Sequence, residues 1–299
     1  MSALEPGSTF KILTLAKALD DPNAKITLNW HLYCKGETTV ANVDQWKVHC
    51  DDHKPHGDVT PEIAIAKSCN VAAATWAQAI GRENFLAFIR DLGLLTKPNV
   101  GLPREGHGSY DYKDWAKQLQ LANMGFGQAI ITTPLSLASA FCMIANKGVR
   151  IEPSLIKKIG NHTLPARDSK RIIKPETAAE VLHCMEAVIE SDSGTGKTLR
   201  IPGYRLAGKT GTAQKIGKTK DGYVANFVGF VPAQNPQAVI LVMVNHPNTS
   251  AYHGAVVAGP VFVDIAKAVI RHFNIPPSED LEKALPSIDT KHARLTMNR

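Results

Sequence analysis

The sequence predicts a mixed α/β chain of the α+β kind, an antiparallel sheet flanked by helices plus a helical lobe. Three observations carry this. Before residue 200, apolar residues recur at helical spacing through several segments. After it come three strand-sized runs, residues 204–215, 225–231 and 238–245, the last two rich in Val, Ile and Phe. A closing stretch, roughly 256–273, reads as a helix with Val257, Val261, Ile265, Val269 and Phe273 on one face.

The elements follow in order. Residues 8–20 read as a helix with Ser8 at its start, because serine is a favoured first residue and Gly7 frees the approach. Residues 22–60 read as irregular, rich in Gly, His, Asp and Cys. Pro61 opens a helix over 61–67, and 71–80 and 83–92 follow as helices, the second ending at Gly93. Further helices fit 134–147, which stops at Gly148, and 175–190. Gly222 and the 232–236 segment break the strands apart. One domain is expected over residues 1–274, then a Pro-rich, charged tail over 275–299 that is ordered only in part.

Composition narrows the function classes. Hydrophobic residues at 44% and charged residues at 20% suit a folded soluble chain rather than a disordered one. The longest apolar candidate, 238–244, is strand-sized, so no membrane segment is expected. Nor is a signal peptide, since Met1 runs into Glu5-Pro6-Gly7 without a basic start or an apolar core. The net charge of +7 would suit nucleic acid, but the basic residues are scattered, so no nucleic-acid partner is expected. Attraction to an anionic polymer or membrane surface is the milder reading. The five cysteines cannot all pair within the chain. Cys142 and Cys184 sit in apolar helical patterns and are expected to be buried and unreactive.

Three short motifs carry the chemistry. Ser8-Thr9-Phe10-Lys11 is Ser-x-x-Lys, and residues three apart share a helix face, so the Lys11 amine can lie beside the Ser8 hydroxyl. A serine needs a neighbouring base to attack near neutral pH, and lysine serves only if burial or another cation lowers its pKa. Ser68-Cys69-Asn70 is Ser-x-Asn at a break between helices, and Lys209-Thr210-Gly211-Thr212 lies on the first predicted strand. Each motif alone has a plain reading: a solvated helix face, a helix cap, a charge at a strand end. Their order and contexts together are specific.

These residues resemble class B penicillin-binding proteins, the monofunctional D,D-transpeptidases of division, elongation or sporulation. The flanks extend the resemblance: Glu5-Pro6-Gly7 before Ser8, Gly125-Phe126-Gly127-Gln128 followed by Thr132-Thr133-Pro134-Leu135, Ala213-Gln214, and Ala225 to Pro232. It runs from about residue 4 to 273 and implies the penicillin-binding/serine β-lactamase-like fold. It also implies that Ser8 is the nucleophile and Lys11 its general base. Ser68 would relay the proton, linking Lys11 and Lys209, and Asn70 would bind the substrate's peptide amide. Lys209, Thr210 and Thr212 would receive the substrate carboxylate, with Gly211 allowing close approach. The Ser8 and Thr212 backbone N–H groups would form the oxyanion hole. The implied partners are peptidoglycan stem peptides ending in D-Ala-D-Ala, β-lactams as substrate mimics, and a membrane glycosyltransferase beside the full-length parent. The implied location is the extracytoplasmic face of the bacterial inner membrane.

In that family two sheet strands precede the nucleophile helix, whereas only seven residues precede Ser8 here. The chain is therefore expected to be an N-terminally truncated fragment lacking the first two strands. Its Lys209 strand should lie at one edge of a three-stranded sheet, with the opposite edge uncovered and apolar. Two other functions compete. A class D β-lactamase or β-lactam sensor also uses Ser-Thr-Phe-Lys, but typically has Val where Asn70 stands and depends on a carbamylated lysine. An inactive truncated remnant is the second.

No cofactor is required for the catalysis. A structural zinc is nonetheless a candidate, held by Cys34, Cys50, His56 and Cys69. The ligand spacings are longer than in a zinc finger, but three of five cysteines lie in or beside one irregular segment with little apolar material. Some elongation-type relatives resemble this, with a metal held by the same segment. A Cys34–Cys50 disulfide, as in redox control of sporulation-type relatives, stays open beside it. So does simple packing, with Cys69 behind the motif and His56 capping a turn.

Overall fold

The computed structural model describes residues 3–110, 116–165, 167–214, 222–247 and 252–278. Most of the predicted tail, residues 279–299, and Lys215 of the first predicted strand lie outside the described residues.

A 3₁₀ turn at Gly7–Thr9 runs directly into helix α1 (Phe10–Asp20). Helices α2 (Pro61–Ala66), α3 (Asn70–Ile80), α4 (Arg82–Asp91) and α5 (Lys117–Gly125) build the helical lobe around it. Helices α6 (Pro134–Ala145) and α7 (Pro175–Glu190) lead to the sheet. Local chemistry sets several of these starts. Thr60 caps α2 by accepting from the Ile63 N–H at 3.3 Å, and Thr133 caps α6 by accepting from the Ser136 N–H at 3.1 Å. A proline follows each cap, where no helical N–H is needed. Helix α5 escaped the sequence reading, because its Lys-Gln-Leu-Gln start carries little apolar periodicity.

Strands Ala207–Gln214, Tyr223–Val231 and Ala238–Asn245 form the expected antiparallel meander in that spatial order. Lys209 pairs with Val228 and Thr212 with Ala225. The Lys209 strand lies at one edge, and among the described residues the Ala238–Asn245 strand pairs on one side only. Side chains of the central strand alternate between two cores. Val228 and Phe230 join the main core of the helical lobe, where Phe230 meets Phe141 of α6 edge to face at 6.3 Å. Phe227 and Val231 join a second core beneath the closing helix.

That closing helix corrects the sequence reading twice. It breaks into α8 (Gly254–Val257) and α9 (Gly259–His272). Its buried row is Phe262, Ala266 and Ile270, while Val261, Ile265 and Phe273 stand 44%, 41% and 54% exposed. Both rows are apolar at four-residue spacing, so periodicity alone could not choose. The sheet chooses: a Cβ on Gly229 would lie 2.4 Å from the Phe262 ring, so the missing side chain makes the seat for Phe262.

Three further expectations change. Residues 22–60 hold short strands at Leu32–Cys34, Glu37–Val40, Val43–His49 and Gly57–Val59, paired as two small antiparallel sheets. Each strand buries only one residue, Cys34, Val40, Val48 and Val59 respectively, too few to mark an alternation. Trp30 packs edge to face on Trp76 of α3 at 5.9 Å and anchors the segment. Cys142 is exposed, whereas Cys184 is buried as expected, and burial pushes its thiol up to about 12. The domain also runs past residue 274: Ile275 is buried and the Ser278 N–H donates to the Gly203 carbonyl at 2.8 Å.

Candidate active site

Gly7, at φ +56°, turns the chain into the first turn of the nucleophile helix, and its N–H donates to the Gly127 carbonyl at 3.1 Å. Ser8 is left half-buried, while Lys11, one turn on, is sealed at 1% exposure. Lys11 Nζ lies 2.9 Å from Ser8 Oγ, 2.7 Å from the Ser68 carbonyl oxygen and 3.0 Å from Ser68 Oγ. Ser68 reaches this position in the turn between α2 and α3, with a left-handed φ of +58° that costs a non-glycine residue about 1–2 kcal/mol. The Ser-x-x-Lys and Ser-x-Asn motifs therefore meet at the Lys11 amine.

Burial lowers the Lys11 pKa to about 8, against smaller opposing effects of Cys69, Cys50 and Asp51. A neutral amine has two hydrogens and one lone pair. Its two hydrogens can serve the Ser68 carbonyl and hydroxyl, which leaves the lone pair facing the Ser8 O–H. Lys209 is buried too, and desolvation with the charge of Lys11 holds its pKa well below the usual lysine range. Its Nζ donates to Thr210 O at 3.1 Å and to Thr210 Oγ1 at 3.4 Å. Of the bridge expected from Ser68 to both lysines, the hydrogen bonds to Lys11 are formed.

Above the two lysines opens a cleft of about 470 Å³, lined by Ser8, Ser68, Asn70, Thr210 and Thr212 among others. Asn70 Nδ2 donates to the His49 carbonyl at 2.8 Å. Thr212 Oγ1 accepts from the Gly254 N–H at 3.2 Å, so its own O–H remains to donate. Gly211 has a different close neighbour from the one expected. A Cβ there would lie 2.0 Å from Asn226 Oδ1, so the missing side chain makes room for Asn226 on the adjacent strand.

Sequence reasoning missed two residues. Asn226 is fully buried, and its Nδ2 donates to the Pro6 carbonyl at 3.1 Å, tying the sheet to the turn that carries Ser8. A lone Asn in an apolar strand was the signal available. Thr195 lines the cleft, with its hydroxyl 3.1 Å from that of Thr210 and its N–H donating to the Ala66 carbonyl at 3.1 Å. It follows α7 in a Ser-Gly-Thr-Gly stretch that reads only as a loop.

The four proposed metal ligands also converge. The ligand atoms of Cys34, Cys50, His56 and Cys69 all lie within 4.8 Å of one another. Cys34 Sγ is 3.7 Å from Cys50 Sγ and 3.6 Å from His56 Nδ1, and Cys50 Sγ is 3.7 Å from Cys69 Sγ. A tetrahedral zinc with bonds of roughly 2.3 Å to sulfur has sulfur–sulfur edges of about 3.8 Å, close to the Cys34–Cys50 and Cys50–Cys69 contacts, while the set as a whole reaches out to at most 4.8 Å. Cys34 and Cys50 stand as free thiols rather than a disulfide. The hydrogen bond between Cys50 and Cys69 lowers the Cys50 pKa and, together with burial, raises that of Cys69.

A serine with a buried, neutral-leaning lysine beside it, at the mouth of a cleft walled by a lysine-bearing edge strand, is built for acyl transfer through a covalent serine intermediate. The chain belongs to the family of the penicillin binding protein transpeptidase domain, which matches residues 1–267. It is 30% identical to stage V sporulation protein D of Bacillus subtilis, covering 97% of this chain and 46% of that protein. It is 32% identical to the probable peptidoglycan D,D-transpeptidase PenA of Neisseria gonorrhoeae, covering 94% and 46%. The chain thus spans about half the length of the curated relatives it matches. Among solved structures, the transpeptidase domain of Burkholderia pseudomallei penicillin-binding protein 3 superposes with a TM-score of 0.81 at 31% identity, covering 93% of this chain and 82% of that one.

Proposed function

We propose that this chain is a serine D,D-transpeptidase domain that cross-links peptidoglycan stem peptides through an acyl-enzyme on Ser8. The observation that carries the reading is the 2.9 Å approach of the buried Lys11 amine to Ser8 Oγ. Lys11 takes the Ser8 proton as Oγ attacks the carbonyl of the penultimate D-Ala. Asn70 accepts the substrate amide, and the Thr210 and Thr212 hydroxyls receive the terminal carboxylate. That carboxylate raises the pKa of Lys209, and the restored charge pushes Lys11 further toward its neutral form. The N–H groups of Ser8 and Thr212 hold the oxyanion. As the tetrahedral adduct collapses, the C–N bond breaks and the proton passes from Lys11 through Ser68 to the departing D-Ala amine. An amine of a second stem peptide then attacks the ester, gives its proton back to Ser8 Oγ by the same route, and leaves as the new amide. A β-lactam acylates Ser8 in the same first step, but its amine stays tethered to the adduct.

We propose further that Cys34, Cys50, His56 and Cys69 hold a structural zinc. The support is the convergence of the four ligand atoms within 4.8 Å, with sulfur–sulfur contacts of 3.7 Å, and the lowered pKa of the Cys50 thiol. The metal would take no part in the acyl transfer and would staple the Leu32–Val59 sheets to the Ser68–Asn70 turn. By family membership the protein would work at the extracytoplasmic face of the bacterial inner membrane, beside a membrane glycosyltransferase. Among the described residues no helix is long and apolar enough to cross a membrane.

The test is covalent labelling. Protein incubated with a fluorescent penicillin, digested and analysed by mass spectrometry, should carry one adduct, on Ser8. An adduct on another residue, or none on protein shown to be folded, overturns the assignment.

A further inference from the structure

The hairpin of Glu37–Val40 and Val43–His49, which leads into Cys50, carries a second group of ligand-type side chains on its outer side. Glu37, His49 and His53 each bring one ligand atom within 4.8 Å of the other two. Glu37 and His49 are cross-strand partners in the pairing of Glu37–Val40 with Val43–His49. His53 is brought back over His49 by two successive left-handed residues, Asp52 at φ +51° and His53 at φ +54°, and the two rings lie 4.2 Å apart. The alternation of an extended chain separates this group from the cysteine cluster. His49 points outward and Cys50, the next residue, is buried with the other thiols.

Two details go beyond proximity. His49 Nδ1 is closed from solvent, and its polar neighbour is Glu37 Oε2, in an ion-pair contact at 3.2 Å. An N–O edge of about 3.3 Å is what a tetrahedral cation with bonds of roughly 2.0–2.1 Å requires. The Glu37 carboxylate is also divided: Oε1 takes Lys47 Nζ at 3.0 Å, and Oε2 is the oxygen turned toward the histidines.

We propose that Glu37, His49 and His53 form a second, solvent-facing metal site for a divalent transition cation of the zinc class, completed by water. Two imidazoles and one carboxylate select such a cation over magnesium or calcium, which prefer all-oxygen shells. The site is independent of the cysteine cluster. Because the His49 carbonyl accepts from Asn70 Nδ2, a cation here would also stiffen the support of the Asn70 amide.

Cobalt titration of the reduced, purified protein tests this, read by native mass spectrometry and by absorption. One equivalent should bind with ligand-field bands but no thiolate-to-cobalt charge transfer, whatever metal the cysteine cluster holds. His53→Ala and Glu37→Gln, both at exposed positions, should each weaken that equivalent at least tenfold, given that loss of even an outer-shell partner costs roughly 10–100-fold. Magnesium should not compete. The proposal falls if every bound cobalt shows thiolate charge transfer, or if both variants bind the second equivalent as the parent does. Cobalt bound only without thiolate bands, in a protein lacking zinc, would uphold this site and defeat the cysteine one.

Discussion

Asn70 Nδ2 donates to the carbonyl oxygen of His49 across 2.8 Å. The bond joins the first residue of α3 to the end of a hairpin whose next residue, Cys50, belongs to the thiol cluster, as does Cys69 directly before Asn70. Both neighbours of this bond are therefore candidate ligands, and the amide's orientation depends on how well the cluster is held. The reduced protein is expected to contain one tightly bound zinc per chain, lost in Cys34→Ser. A loss of even about 2 kcal/mol would lower Tm by about 4–8 °C in a domain of this size. Metal analysis and thermal denaturation of parent and variant check both, and a zinc-free parent would remove the cluster's metal role.

Acylation should follow the neutral fraction of Lys11. With its pKa at about 8, the second-order rate constant for penicillin should rise about tenfold per pH unit below that value and level off above it. Stability moves in the same direction. The folded pKa lies below the unfolded 10.5, so the unfolded chain binds more protons between the two, and stability rises with pH from about 8 to 10.5. A rate flat between pH 6 and 9 would contradict the base assignment, and Lys11→Ala should slow acylation by about 10²–10⁴-fold.

Ser68 separates chemistry from stability. Ser68→Ala removes the hydroxyl and keeps the left-handed backbone, whereas Ser68→Gly removes both the hydroxyl and the strain. Both variants should acylate slowly, but the glycine variant should be more stable than the alanine one by about 1 kcal/mol. Denaturant unfolding with labelling in parallel checks this. Equal stabilities would mean that the turn carries no strain.

Gly211 and Asn226 should behave as a coupled pair. In Gly211→Ala the new Cβ meets Asn226 Oδ1, and the cost should be about 1–3 kcal/mol with slower labelling. Asn226→Ala alone loses the bond to Pro6 O, yet it makes room, so the double variant should be less destabilised than the sum of the two single ones. Simple additivity in a double-mutant cycle would show that the clash is relieved elsewhere.

Thr195 should act on carboxylate recognition rather than on the chemical step. Thr195→Val removes the hydroxyl that meets Thr210 and should raise KM for a carboxylate-bearing donor several-fold with little change in kcat, as expected for a lost hydrogen bond of about 1 kcal/mol. A fall in kcat at unchanged KM would assign it a different role.

Much of this was legible because the chemistry is written in short motifs whose spacing is local. Ser8 and Lys11 are one helical turn apart, so any helix there places them together. The Lys209 strand and its two successors are consecutive, so their meander needs no long-range information. The Leu32–Val59 sheets were not legible, because each strand buries only one residue, too few to mark an alternation. The order along the chain could not show that Asn226 supports Pro6, that Thr195 meets Thr210, or that Glu37 meets His53, since each pair is brought together by packing between separate elements. The row of α9 that faces the sheet was undecided for the same reason. Two apolar rows were available, and the gap at Gly229 admits Phe262 from one of them. The sequence by itself determined the reacting groups and the order of the elements, through local geometry. The tertiary structure alone decided which of those groups are dry enough to shift their pKa values, because burial belongs to the packed whole.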